Sequence, residues 1–91
     1  MMKEIVFDAS QVESMDQLHA ELARRLDFPA HYGRNLDALY DCLSGEMALP
    51  LKIIWKNYRS TRLRLGKDIA KIRKVMKDFS REEPDFVIEI E

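Results

Sequence analysis

The sequence predicts an α/β fold, a small three-stranded parallel sheet packed with four helices. Two observations carry this. Three short runs rich in Ile, Val and aromatics, at residues 4–7, 51–55 and 86–90, have the length and composition of strands. The two intervals between them are far too long for hairpins, and each contains two helical patterns. Long helical connections favour parallel pairing with right-handed crossovers.

Taken in order, the first strand covers Glu4 to Phe7 and is followed by a helix start at Ser14, where Ser14 and Gln17 have capping-box spacing. Met15, Leu18, Leu22 and Leu26 then form one apolar stripe. Asn35 is a suitable N-cap for a second helix from Leu36, closed by Gly45 and Pro50. After the second strand, Leu51 to Trp55, the segment KNYRSTRLRL suggests a short helix broken near Gly66. Ile69, Ile72, Val75, Met76 and Phe79 mark a longer fourth helix that ends before Pro84, and Phe86 to Ile90 forms the last strand.

Ninety-one residues make one domain, 1–91, with a modest core and little room for a second function. With 46% apolar residues and only three Gly and three Pro, the chain is neither disordered nor low in complexity. No apolar run approaches the roughly 18 residues of a membrane span, and MMKEIVFDAS lacks a signal-peptide core. A cytoplasmic protein with no membrane partner is expected. The lone Cys42 excludes an internal disulfide and suits a reducing compartment. No glycine-rich phosphate loop follows the first strand, so nucleotide binding is not supported.

The net charge of −1 conceals an uneven distribution. Residues 1–50 hold four Lys/Arg against nine Asp/Glu, residues 51–77 hold ten against one, and residues 78–91 hold one against six. A basic block can bind phosphate backbones, whereas an acidic face can bind a basic protein. On the second helix, at 100° per residue, Leu36, Leu39 and Leu43 form the predicted buried stripe, while Asp37 and Asp41 share an exposed ridge with Tyr40 between them and the stripe. Two aspartates four residues apart repel by a few tenths of a kcal/mol, partly offset for Asp37 by the helix N-terminus. Packing alone gives no reason for that cost. A cationic ligand would remove it.

The segment HYGRNLDALYDCLSG from His31 to Gly45, Pro29 before it, the Leu-Pro that opens the second strand, Trp55 within that strand and DQLH around Leu18 resemble the barstar family. Those proteins are intracellular inhibitors of a secreted bacterial ribonuclease. The likeness covers nearly the whole chain and is most specific from Tyr32 to Gly45. It implies a barstar-like three-stranded sheet, no enzymatic activity, no cofactor, and a monomer that plugs the cleft of a small secreted bacterial ribonuclease one-to-one, as an immunity-type protein. It implies that Asp41 is the dominant contact, Asp37 the second, and that Tyr32, Gly33, Asn35, Leu36, Ser44 and Gly45 complete the strip. Asp78 stands where the family has a glutamate on the fourth helix. The chain departs from the pattern with His31 where the family has a tyrosine, Tyr40 where it has a tryptophan, and Glu46 at a further aromatic position. Stacking on the partner is then weaker.

Each residue also has a plainer reading. The aspartate pair can be a solvated helix face, and Asp78 can serve only an i,i+4 ion pair with Lys74. Trp55 belongs in the core, His19 reads as a packing histidine beside the leucine stripe, and Cys42 as a buried inert thiol. Two histidines, one cysteine and an Asp-x-x-x-Asp pair make no metal signature. The alternative function is nucleic-acid binding by the basic stretch 52–77, with Trp55 and Tyr58 as the stacking candidates. No recognised binding motif spans it, and a solvated basic face is the favoured reading. A third possibility is that the ridge binds a basic protein other than a nuclease.

Overall fold

In the computed structural model, which describes residues 2–91, the chain runs β1 (Lys3–Asp8), α1 (Met15–Leu26), α2 (Leu36–Gly45), β2 (Leu51–Lys56), α3 (Tyr58–Leu65), α4 (Lys67–Glu82) and β3 (Phe86–Ile90). The strands pair parallel in the order β1-β2-β3. The expected α/β architecture is therefore present, with β1 one residue longer at each end because Lys3 and Asp8 pair with Leu51 and Lys56.

Register decides which face is buried. Ile5, Ile53 and Ile88 form one row across the sheet, and Phe7, Trp55 and Ile90 the next. Successive side chains point to opposite faces, so these rows share one side with Leu51 and Phe86. That side carries the core: Phe7, Leu51, Ile53, Trp55, Phe86 and Ile88 are buried with Leu18 and Leu22 of α1 and Ile69, Ile72 and Met76 of α4. The opposite side is open, with Val6 and Val87 exposed and Lys52 paired to Glu89 at 3.9 Å. Trp55 lies in the core as expected, in edge contact with Phe7 and Tyr58 at centroid distances of 5.3 and 5.2 Å.

The helix ends follow local chemistry. Ser14 Oγ accepts the Gln17 amide at 3.1 Å, while Gln17 Oε1 reaches back to the Glu13 amide at 2.8 Å. Asn35 Oδ1 accepts the Ala38 amide at 2.7 Å and so caps α2. Gly66, with φ of 82°, separates α3 from α4 in a backbone conformation that other residues adopt only at a cost.

Two features depart from the sequence reading. Leu36 is not part of a buried stripe; it is 36% exposed, and Cys42 joins Leu39 and Leu43 instead. The first turn of α2 borders an open cleft of about 370 Å³ that Leu36 lines with Met15, His19, Arg34 and Ile72, so this part of the helix is not sealed against a neighbouring element. Helical periodicity identifies a face but not how far the neighbouring element extends along it. The basic block is also not one solvated surface. The Arg64 guanidinium donates to the backbone carbonyls of Val12, Ala9 (3.1 Å) and Ser10 (3.3 Å), and the buried Thr61 hydroxyl lies between the carbonyls of Asn57 at 2.8 Å and Ala9 at 3.1 Å. Together they hold the β1–α1 connection against α3.

Candidate functional site

The acidic ridge on α2 is preceded by a turn fixed largely through α1. Tyr32 N–H donates to the Pro29 carbonyl at 3.0 Å. Arg34, in the left-handed region at φ of 52°, makes two bonds to the Asp16 carboxylate, at 3.0 and 2.9 Å. The Tyr32 ring packs on Phe28 at 4.9 Å, and its hydroxyl meets His19 Nδ1 at 2.7 Å. Tyr32 is thus half-buried and turned inward. Burial pushes the ionisation of its phenol upward, and the nearby Cys42 adds to this. His19, buried as its place beside the stripe suggested, has its pKa lowered by burial against the opposing pull of Asp16.

On α2 itself, Asp37 and Asp41 are exposed and one helical turn apart. Beside them, on the α4 side, Tyr40 lies edge-on to Phe79 at 6.0 Å, and its hydroxyl donates to Glu82 at 2.6 Å. That bond to Glu82, before burial, holds the Tyr40 phenol in its neutral form to higher pH. Nothing local in the sequence points to Glu82, because the pair is 42 residues apart.

A shallow pocket of about 170 Å³ joins the turn to the ridge: its wall is formed by Pro29, His31, Tyr32, Gly33, Ala38, Asp41, Cys42 and Glu46. His31, Gly33 and Asp41 therefore come together, and Glu46 adds a carboxylate beside them. Asn35 and Leu36 stand instead at the larger cleft toward α1 and α4. The Ser44 hydroxyl donates to the Asp41 carbonyl at 3.3 Å, and Gly45 ends the helix with open space where a Cβ would stand. Asp78 lies on α4 next to Phe79, bound by Lys74 at 2.7 Å and Arg81 at 3.3 Å. The Lys74 bond is the main cause holding its carboxyl below the usual carboxylate range. The i,i+4 ion pair of Asp78 with Lys74 is thus present.

Chemically, this arrangement presents charge rather than reactive groups. Cys42 is buried, and burial, followed by Glu46 and Asp41, pushes its thiol up and away from the reactive thiolate. Among the described residues no group of three His, Cys, Asp or Glu side chains could hold a metal ion. Among the described residues no helix is long and apolar enough to cross a membrane.

Comparison with known proteins gives two concordant findings. The family model described as "Barstar (barnase inhibitor)" matches residues 2–91. A Bacillus subtilis (strain 168) protein named "Putative ribonuclease inhibitor YrdF" is 41% identical over 84 residues, covering 92% of this chain and 92% of that protein. The span matched by the family model takes in all seven elements, the anchored turn and the carboxylate ridge, and with the Bacillus relative it shows that the chain belongs to the barstar family.

Proposed function

We propose that this chain inhibits a small secreted bacterial ribonuclease by seating the α2 ridge in its RNA-binding cleft, with Asp37 and Asp41 in the places of RNA phosphates. The observation that carries this reading is the ridge: two exposed carboxylates one turn apart on a helix whose entry turn is tied down by Arg34–Asp16 and Tyr32–His19. The family and the name of its Bacillus relative support it.

A ribonuclease binds a polyanion, so its cleft must present Arg, Lys or His. Carboxylates on a rigid helix can pair with those cations without an ordering step, and preorganisation of this kind reduces the entropic cost of association. Opposite fields on the two surfaces steer the encounter. His31, Gly33 and Asp41 would meet the partner around the shallow pocket, with Asn35, Leu36, Tyr40, Ser44 and Gly45 flanking the ridge. Tyr32 would act mainly by holding the turn, and Asp78, already satisfied by Lys74 and Arg81, would contribute least. The chain needs no catalytic group or cofactor for this role. It would act in the cytoplasm, one copy per nuclease.

The test is competition. A non-cleavable RNA analogue bound to a ribonuclease from the same organism should be displaced by the chain, and inhibition should weaken as the analogue concentration rises. Inhibition indifferent to the analogue would place the contact outside the cleft.

A further inference from the structure

A specific, stable interface covers about 800 Å² on each partner, a patch roughly 32 Å across if circular. The whole chain measures 33 × 28 × 19 Å. Helices in contact have axes about 8–10 Å apart, so a patch of that size centred on the α2 ridge reaches the outer side of α4. The two helices meet where Tyr40 of α2 packs on Phe79 and bonds Glu82 of α4, and the exposed Lys74 and Arg81 lie on the outer side of α4 beyond that seam.

What α4 offers is opposite in sign to the ridge. Ala70, Arg73, Lys74, Lys77, Asp78 and Arg81 follow the three- and four-residue spacing of one helical face and line, with Tyr58, an open groove of about 530 Å³. Four cations share it with one carboxylate. Asp78 is already bound by Lys74 and Arg81. The Arg73 guanidinium lies 5.1 Å from the centre of the Tyr58 ring, and Lys77 has no ion pair among the described residues. A partner that was cationic throughout would find its match at Asp37 and Asp41 and repulsion one helix away. Like charges brought together in this manner act against a partner.

We propose that the α4 groove is a specificity surface: the cognate ribonuclease carries carboxylate side chains on the rim beside its cationic cleft, and these meet Lys74, Lys77 and Arg81. The inference rests on the proposed docking of the α2 ridge in a ribonuclease. It makes the interface bipolar, which fixes orientation and excludes ribonucleases whose rims are basic.

The sign of a charge-reversal effect tests it. Association of the full chain with a ribonuclease of its own organism is followed by stopped flow at low salt, using Lys77→Glu, Lys77→Gln and Lys74→Ala. An acidic rim predicts that Lys77→Glu associates about 3- to 10-fold more slowly than the native chain, with Lys77→Gln between the two, and that about 0.5 M salt removes most of the difference. Lys74→Ala should also slow association, although it frees Asp78. If Lys77→Glu is misfolded by circular dichroism, Lys77→Gln decides by the same sign. Faster or unchanged association of the α4 variants, with the native chain still inhibiting, overturns the acidic rim and leaves the ridge reading intact. Absence of inhibition by the native chain overturns both. Tight binding of a free RNA oligonucleotide that Lys77→Glu abolishes assigns the groove to nucleic acid and likewise overturns the inference.

Discussion

Asp41 holds the centre of the proposed contact. It shares a pocket wall with His31 and Gly33, whereas Asp37 lies a turn nearer the helix start and Asp78 is already paired on another helix. Removing a carboxylate that faces desolvated cations leaves those cations buried and unpaired, which costs about 2–5 kcal/mol. The barnase–barstar pair is among the complexes that define this range, so the figure is borrowed from the family. An alanine scan should therefore rank Asp41 first, Asp37 next and Asp78 well behind. A scan that places Asp78 or any lysine above Asp41 contradicts the docking mode. A second residue-scale prediction concerns His19. Burial lowers its pKa below the value of about 6.5 ordinary for an exposed histidine. As pH falls through that value the unfolded chain takes up a proton that the folded chain does not, so stability declines. The native protein should lose more thermal stability between pH 7.5 and 5.5 than His19→Gln, which has no imidazole at that position and can still bond Tyr32. Parallel losses would show that His19 is not held neutral.

At the scale of elements, the ends of α1 and α2 were legible because caps act over three or four residues: Ser14 and Asn35 are where local chemistry puts them. Asn35→Ala should cost about 1 kcal/mol of stability in chemical denaturation of the free chain. The interior face of α4 was legible for a similar reason, as 3.6-residue periodicity marks Ile69, Ile72, Met76 and Phe79. What escaped notice depends on distant partners. Arg64 looks like one cation of a basic run, yet its guanidinium bonds three carbonyls of the β1–α1 connection, more than fifty residues away in sequence. Arg64→Ala should therefore destabilise the fold by about 1–2 kcal/mol, while Arg59→Ala, which breaks no such bond, should be near neutral. Equal effects would mean that the Arg64 bonds contribute nothing. Leu36 was misplaced because no local pattern reports that α2 borders a cleft, and Tyr40–Glu82 because no spacing connects α2 to the end of α4.

For the whole molecule, the separation of charge along the sequence becomes a separation in space: carboxylates on α2, cations along α4. Several members of the basic block are already engaged, Lys52 by Glu89, Lys71 by Asp68, Lys74 by Asp78 and Arg64 by backbone, which reduces what remains for a phosphate backbone. Binding to a mixed-sequence oligonucleotide at physiological salt should be no tighter than the non-specific range of about 10⁻⁴ to 10⁻⁶ M. Submicromolar, salt-steep binding that disappears when Lys71, Lys74 and Lys77 become glutamate would favour the nucleic-acid alternative. The central claim, that the ridge stops a ribonuclease by occupying its cleft, is tested most directly by titrating the chain into a fixed, micromolar amount of a small secreted ribonuclease from the same organism, at low salt, and measuring residual RNA cleavage. The account predicts a linear fall to near zero at one equivalent, and a shallow curve extending far beyond one equivalent for Asp41→Ala. Undiminished cleavage at a large excess of the native chain, against every ribonuclease the organism encodes, would contradict it.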